Sequence, residues 1–171
     1  MNTMYYHYSP EGQINLKRSY TQSVRHSPQA LWLSTEGGYG SWRDCIAGVA
    51  PDLFTYKWRF KVKEDGILYL RTIKDYRKFK EYYLDRYYVD KELFPYDLAL
   101  FDWSKVTQDY KGVYVSETLS NDETALAAWE CITLAIWDLS LVVSYESLTH
   151  SAQHTKWLDQ LYEGYRKSIF G

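Results

Sequence analysis

Apolar residues in this chain come in short runs separated by polar breakers, and the period of each run predicts its element. Met4-Tyr5-Tyr6-His7-Tyr8 reads as a strand over 4–8, followed by a polar loop from Ser9 to Pro28 that Pro10, Gly12 and Ser27-Pro28 interrupt. A second strand over 29–34 ends in Leu31-Trp32-Leu33-Ser34. Gly37, Gly38 and Gly40 then turn the chain into a short helix from Ser41 to Ala47, capped by Ser41 and closed by Pro51. Strands over 54–62 and 67–71 flank Glu64-Asp65-Gly66, a hairpin-forming turn sequence. From Thr72 a charged helix runs to Tyr88, with Tyr76, Phe79, Tyr83 and Tyr87 as its buried stripe. Asp102 caps a helix that ends before Gly112, and a strand covers 112–116. Thr124 to Trp129 reads as a helical stretch. Strands over Cys131–Trp137 and Leu141–Tyr145 flank a turn at Asp138-Leu139-Ser140. An amphipathic helix, His154 to Ile169, closes the pattern on Trp157, Leu158, Leu161, Tyr165 and Ile169. The order is no regular strand-helix alternation, so it predicts an α+β fold whose central sheet is split and largely antiparallel, flanked by helices.

A length of 171 residues supports one domain over 1–171. Aromatic content is 18%, carried by 18 Tyr and 7 Trp against 6 Phe; such residues pair large apolar area with a polar tip and suit ligand walls and interfaces. The formal net charge of -2 provides no global pull toward phosphate backbones or anionic membranes. Basic residues nonetheless alternate with apolar ones in Lys57-Trp58-Arg59-Phe60-Lys61-Val62-Lys63. That alternation reads first as a half-buried strand with a solvated face, and second as a basic ledge for nucleic acid. Cys45 and Cys131 lack any metal-ligand spacing and are expected as reduced, buried thiols, with no metal site. No signal-peptide pattern and no apolar run of ~20 residues occurs, so a cytoplasmic protein without a membrane partner is expected.

Phosphate-binding P-loops, dinucleotide-binding glycine fingerprints, zinc-protease helices and nucleophile elbows are all missing from the sequence. What remains is an ordered series: the strand His7-Tyr8-Ser9, the strand Trp32-Leu33-Ser34, and the Gly-rich loop that opens Ser41-Trp42. With Ala135-Ile136-Trp137-Asp138-Leu139-Ser140-Leu141-Val142 late in the chain, the series resembles the ADP-ribosyltransferase superfamily, in its diphtheria-toxin and poly(ADP-ribose)-polymerase branch.

The resemblance implies NAD as co-substrate, in a pocket lined by His7, Tyr8, Ser9, Trp32, Ser34, Ser41 and Trp42. In it His7 would hold a ribose hydroxyl, the Tyr8 backbone would meet the carboxamide, Trp32 would stack on nicotinamide, and Ser41 would lie near the ribose. The family's catalytic glutamate falls on Thr133 here, so Glu130 or Glu117 would have to stand in. Independently of any family, such chemistry needs aromatic faces, hydroxyl-binding side chains, backbone donors, and a carboxylate for the oxocarbenium-like state.

The implied activity is NAD-dependent mono-ADP-ribosyl transfer to a macromolecular acceptor, protein or nucleic acid, as in a toxin, effector or phage-type modifier. Two alternatives stay open: a catalytically degenerate NAD- or nucleotide-binding relative, and a non-enzymatic inhibitor-like module binding through its Tyr and Trp residues. Each residue also has a plain structural role: His7 bonded to a backbone group, Trp32 and Trp42 packed in the core, Ser34 ending a strand, Ser41 capping a helix.

Overall fold

The computed structural model describes residues 4–35, 50–88, 98–116 and 133–170. Its strands are β1 (Met4–Ser9), β2 (Val24–Arg25), β3 (Leu31–Ser34), β4 (Tyr56–Val62), β5 (Ile67–Leu70), β6 (Leu84–Tyr88), β7 (Leu98–Asp102), β8 (Gly112–Val115), β9 (Thr133–Ile136) and β10 (Val142–Ser147). Its helices are α1 (Ile73–Tyr83), α2 (Trp103–Asp109) and α3 (Ala152–Phe170), and short 3-10 turns at Pro51–Phe54 and Leu139–Leu141 lead into β4 and β10. The fold is α+β. A seven-stranded mixed sheet runs β10-β4-β1-β3-β9-β8-β5, and β2-β7-β6 form a second, three-stranded sheet. Every neighbouring pair in the larger sheet is antiparallel except β5 with β8.

The hairpin expected at Glu64-Asp65-Gly66 does not form. Gly66 does take the left-handed turn conformation, at φ 80°, but both edges of β4 are occupied by β1 and β10, and β5 pairs with β8. Four strands thus separate β4 from β5 in the sheet although Lys63 to Gly66 alone separate them in the chain. Laid flat, five strand steps would put β4 and β5 about 24 Å apart. The five Cα steps from Val62 to Ile67 reach at most ~18 Å. The sheet must therefore curl, and Val62 and Ile67 meet in one apolar cluster with Tyr5, Leu33, Phe60 and Leu134 on its inner face. Ile14, Leu16 and Tyr20, from the polar loop after β1, pack against this cluster.

The outer face divides in two. Over β5, β8 and β9 it carries Leu70, Val113, Val115 and Ala135, sealed by Tyr76 and Phe79 of α1, Trp103 and Val106 of α2, and Phe101 of β7. Over β1 and β4 it carries Tyr6, Tyr8, Lys57 and Arg59, and there it faces α3.

α1 starts as the sequence predicts: Thr72 and Asp75 form a reciprocal capping box. It stops at Tyr83 rather than Tyr88, because Leu84 turns extended and residues 84–88 pair with β7. Tyr87 is therefore a strand residue, 43% exposed, and no part of the helical stripe. β2, inside the expected loop, is held by pairing with β7 and by Trp103, whose Nε1–H donates to the Arg25 carbonyl at 3.1 Å. The helices expected at 41–47 and 124–129, and both cysteines, lie outside the described residues. Among the described residues no helix is long and apolar enough to cross a membrane, and no group of three or more His, Cys, Asp or Glu could hold a metal.

Candidate functional site

β1 alternates its side chains across the curled sheet, and this decides which expected site residues meet. Its register with β3 pairs Tyr6 with Ser34, so His7 falls beside Leu33 and Tyr8 beside Trp32. His7 thus belongs to the inner face, with its ring 5.8 Å from Trp58 and 6.5 Å from Phe60. Trp32 belongs to the outer face and packs against the cluster beneath α1 and α2. The His7 ring is tied to the backbone of Trp32, through Nδ1 to the Trp32 carbonyl at 2.8 Å. A carbonyl only accepts, so Nδ1 carries the proton and Nε2 is the ring's acceptor. Burial pushes the imidazole below its ordinary value, outweighing the backbone bond that raises it.

A small cavity of about 220 Å³ lies beside His7, lined also by Ser9, Glu11, Gln13, Ile14, Asn15, Arg18, Tyr20, Ala30, Leu31 and Trp32, so that three of the expected site residues, His7, Ser9 and Trp32, border one space. The Ser9 hydroxyl there accepts from the Glu11 N–H at 2.9 Å. This volume falls below the ~300–1,000 Å³ of ordinary small-molecule pockets.

Across the sheet the opposite side chains of β1 open onto a larger groove of about 370 Å³, bounded by β1, β4 and α3. Its cations are Lys57, Arg59 and Lys156; its aromatic walls are Tyr6, Tyr8 and Trp157; Leu148, Ser151, Gln153, His154 and Gln160 complete it. Lys57 is only 7% exposed, and its ammonium lies 4.8 Å from the Tyr6 ring centre and 5.8 Å from that of Tyr8. Such contacts let a desolvated cation sit among rings. Arg59 donates from Nε and Nη2 to Glu146 Oε1 on the edge strand β10, at 2.8 and 2.5 Å.

α3 is anchored over this groove by aromatic and polar ties. Trp157 lies 5.7 Å from Phe54 and 6.4 Å from Tyr8. His154 stacks on Trp157 at 5.8 Å, with its Nε2 3.4 Å from the Thr55 carbonyl, and the Tyr162 hydroxyl donates to Asp52 at 2.8 Å. These ties hold one wall of the groove against the other.

The remaining expected residues are distributed as follows. Tyr8 lines the larger groove and Ser9 the smaller cavity. Ser34 is buried on the outer face beside Thr133, and its hydroxyl has no hydrogen-bond partner among the described residues. Ser41, Trp42, Glu117 and Glu130 lie outside the described residues. Sequence reasoning missed Tyr6, Arg59, Lys156 and Trp157 as neighbours of Tyr8. Part of the signal was there: the two-residue period that puts Tyr6 with Tyr8 also puts Lys57 with Arg59. The arrival of α3 on that side carries no local signal. No protein-family model, no curated protein and no solved structure matches the chain.

Proposed function

We propose that the groove between β1, β4 and α3 binds a nucleotide or nucleotide-containing molecule, with phosphate on Lys57, Arg59 and Lys156 and a ring against Tyr6, Tyr8 or Trp157. One observation carries this reading: three cations and three aromatic faces converge on a concavity of about 370 Å³, within the range of small-molecule sites. Cations alone would suit any anion; the rings favour one that carries a base. Calorimetric titration with ADP and with NAD tests it. Binding should be present in the wild type and weaken about tenfold or more in Lys57→Ala or Lys156→Ala, the loss of one charge-assisted contact. Absence of both ligands' binding in the folded wild type would overturn it.

A second reading, NAD-dependent mono-ADP-ribosyl transfer to a protein or nucleic-acid acceptor on an ADP-ribosyltransferase-like fold, is favoured by His7. Its fixed tautomer offers Nε2 as an acceptor for a sugar hydroxyl, and it shares a cavity with Ser9, Arg18 and Trp32. The carboxylate role then falls to Glu117 or Glu130. Nicotinamide release from NAD, lost in His7→Ala and in one of Glu117→Gln or Glu130→Gln while the fold persists, would support transfer. No release by the wild type would leave nucleotide binding without this chemistry.

A further inference from the structure

The basic pattern of β4 continues past the residues that line the groove. β4 places Lys57, Arg59 and Lys61 on the outer face, each a two-residue step of roughly 7 Å from the next, and β1 sets Tyr8, Tyr6 and Met4 directly beside them. Cover thins along this strip. Lys57 is 7% exposed beneath α3, the Arg59 side chain is 39% exposed, and Met4, opposite Lys61, is 44% exposed. Ser144, the β10 neighbour of Lys61, is also exposed. The carboxylate bonded to this strip among the described residues is Glu146, at its edge.

We propose that the nucleotide groove is the covered end of a longer track for a single-stranded nucleic acid, which leaves α3 and runs along β4 over Arg59 and Lys61. The proposal rests on the nucleotide reading above and extends it from a monomeric to a polymeric ligand. Repeating cations match a repeating anion, and adjacent rings supply the faces on which bases stack, the combination that sequence-tolerant single-strand binding uses. A duplex does not fit, because the covered end has room for roughly one nucleotide in its 370 Å³. An acidic polypeptide would match the cations but carries no repeating planar base to set beside the rings that line the groove.

The test compares a fluorescently labelled oligothymidylate of about ten nucleotides, followed by anisotropy, with ADP followed by calorimetry. The oligonucleotide should bind at least tenfold more tightly than ADP, with a log-log salt slope of about -2 for three neutralised phosphates. Lys61→Glu should weaken the oligonucleotide about tenfold and leave both ADP affinity and the thermal midpoint unchanged; Lys61→Gln should show a smaller loss of the same sign. ADP binding with an oligonucleotide no tighter, or an oligonucleotide affinity indifferent to Lys61, would overturn the track and leave the groove intact. Poly-glutamate competing as well as unlabelled oligothymidylate would also overturn it, in favour of an acidic protein partner. Binding of neither ligand would remove the groove reading and the track together.

Discussion

The two sides of β1 are built from consecutive residues yet have opposite characters. On the inner side Tyr5 and His7 are packed among Trp58, Phe60 and Leu33, and the imidazole is pinned to a backbone carbonyl. On the outer side Tyr6 and Tyr8 meet Lys57 and Arg59 under a helix that covers only part of the strip. The difference shows that a strand motif is read two residues at a time: neighbours in sequence are separated by the thickness of the sheet, and neighbours in function come from the partner strands. A pocket read as a linear series therefore divides: His7, Ser9 and Trp32 border a small cavity, while Tyr8 opens on the basic aromatic groove of the other face.

The sharpest way to break the comparison is a pair of substitutions one residue apart. Phe60 is fully buried among His7, Tyr145 and the inner cluster, so Phe60→Ala should lose about 3–5 kcal/mol of stability in urea unfolding. Lys61→Ala, on the other face, should change stability by no more than about 0.5 kcal/mol. Equal effects would mean that the outer face is as sealed as the inner one.

A smaller loss is expected at Gly112, where β8 meets β9. A Cβ there would lie 2.9 Å from the Ala135 carbonyl oxygen and 2.9 Å from Ile136 Cγ2, closer than side chains tolerate. Gly112→Ala should cost about 1–3 kcal/mol by the same measurement, as backbone must move to admit it. Because this site is remote from α3, ligand binding by the groove should persist in whatever fraction remains folded.

Smaller again is the pH dependence set by two buried histidines, His7 on the inner face and His26 beside β7. Burial holds His7 below its ordinary value, and His26, bonded through Nδ1 to the Ala99 carbonyl, is lowered for the same reason. Each folded-state value lies below the unfolded one, so between the two the unfolded chain binds more protons. Stability is then full above about pH 6.5 and falls as pH drops below it, by at most about 1.4 kcal/mol per pH unit for His7. His7→Gln should flatten that decline in urea midpoints measured from pH 7 to 5. An unchanged decline would place its source elsewhere.

Much of the fold was legible because local signals fixed it. The helix start at Thr72, the Asp102 cap before α2, and the strand periods around Tyr5, Leu33 and Phe60 all recur in the structure. What was hidden is pairing. Nothing near Gly66 says that β4 prefers β1 and β10 to the strand that follows it, and nothing near Tyr87 says that β7 will convert the end of a helix into β6. The candidate site was legible only in halves: the Lys57 to Lys63 alternation announced a basic strip, but Trp157, counted as a core contact of α3, is separated from Lys57 by 100 positions and joins it only through the docking of α3.

The finest test of the comparison concerns Glu146, the carboxylate that meets the outer strip. Its bond to Arg59 joins side chains 39% and 56% exposed, a setting in which ion pairs add little to stability. On the inner face the corresponding polar contact holds His7 to the Trp32 carbonyl. Glu146→Gln should therefore leave the thermal midpoint nearly unchanged while releasing Arg59 toward the groove, raising affinity for ADP by about fivefold at low salt and less at high salt. An affinity that stays flat, with the fold intact, would mean that Arg59 serves β10 alone and that the groove's anion site is Lys57 and Lys156.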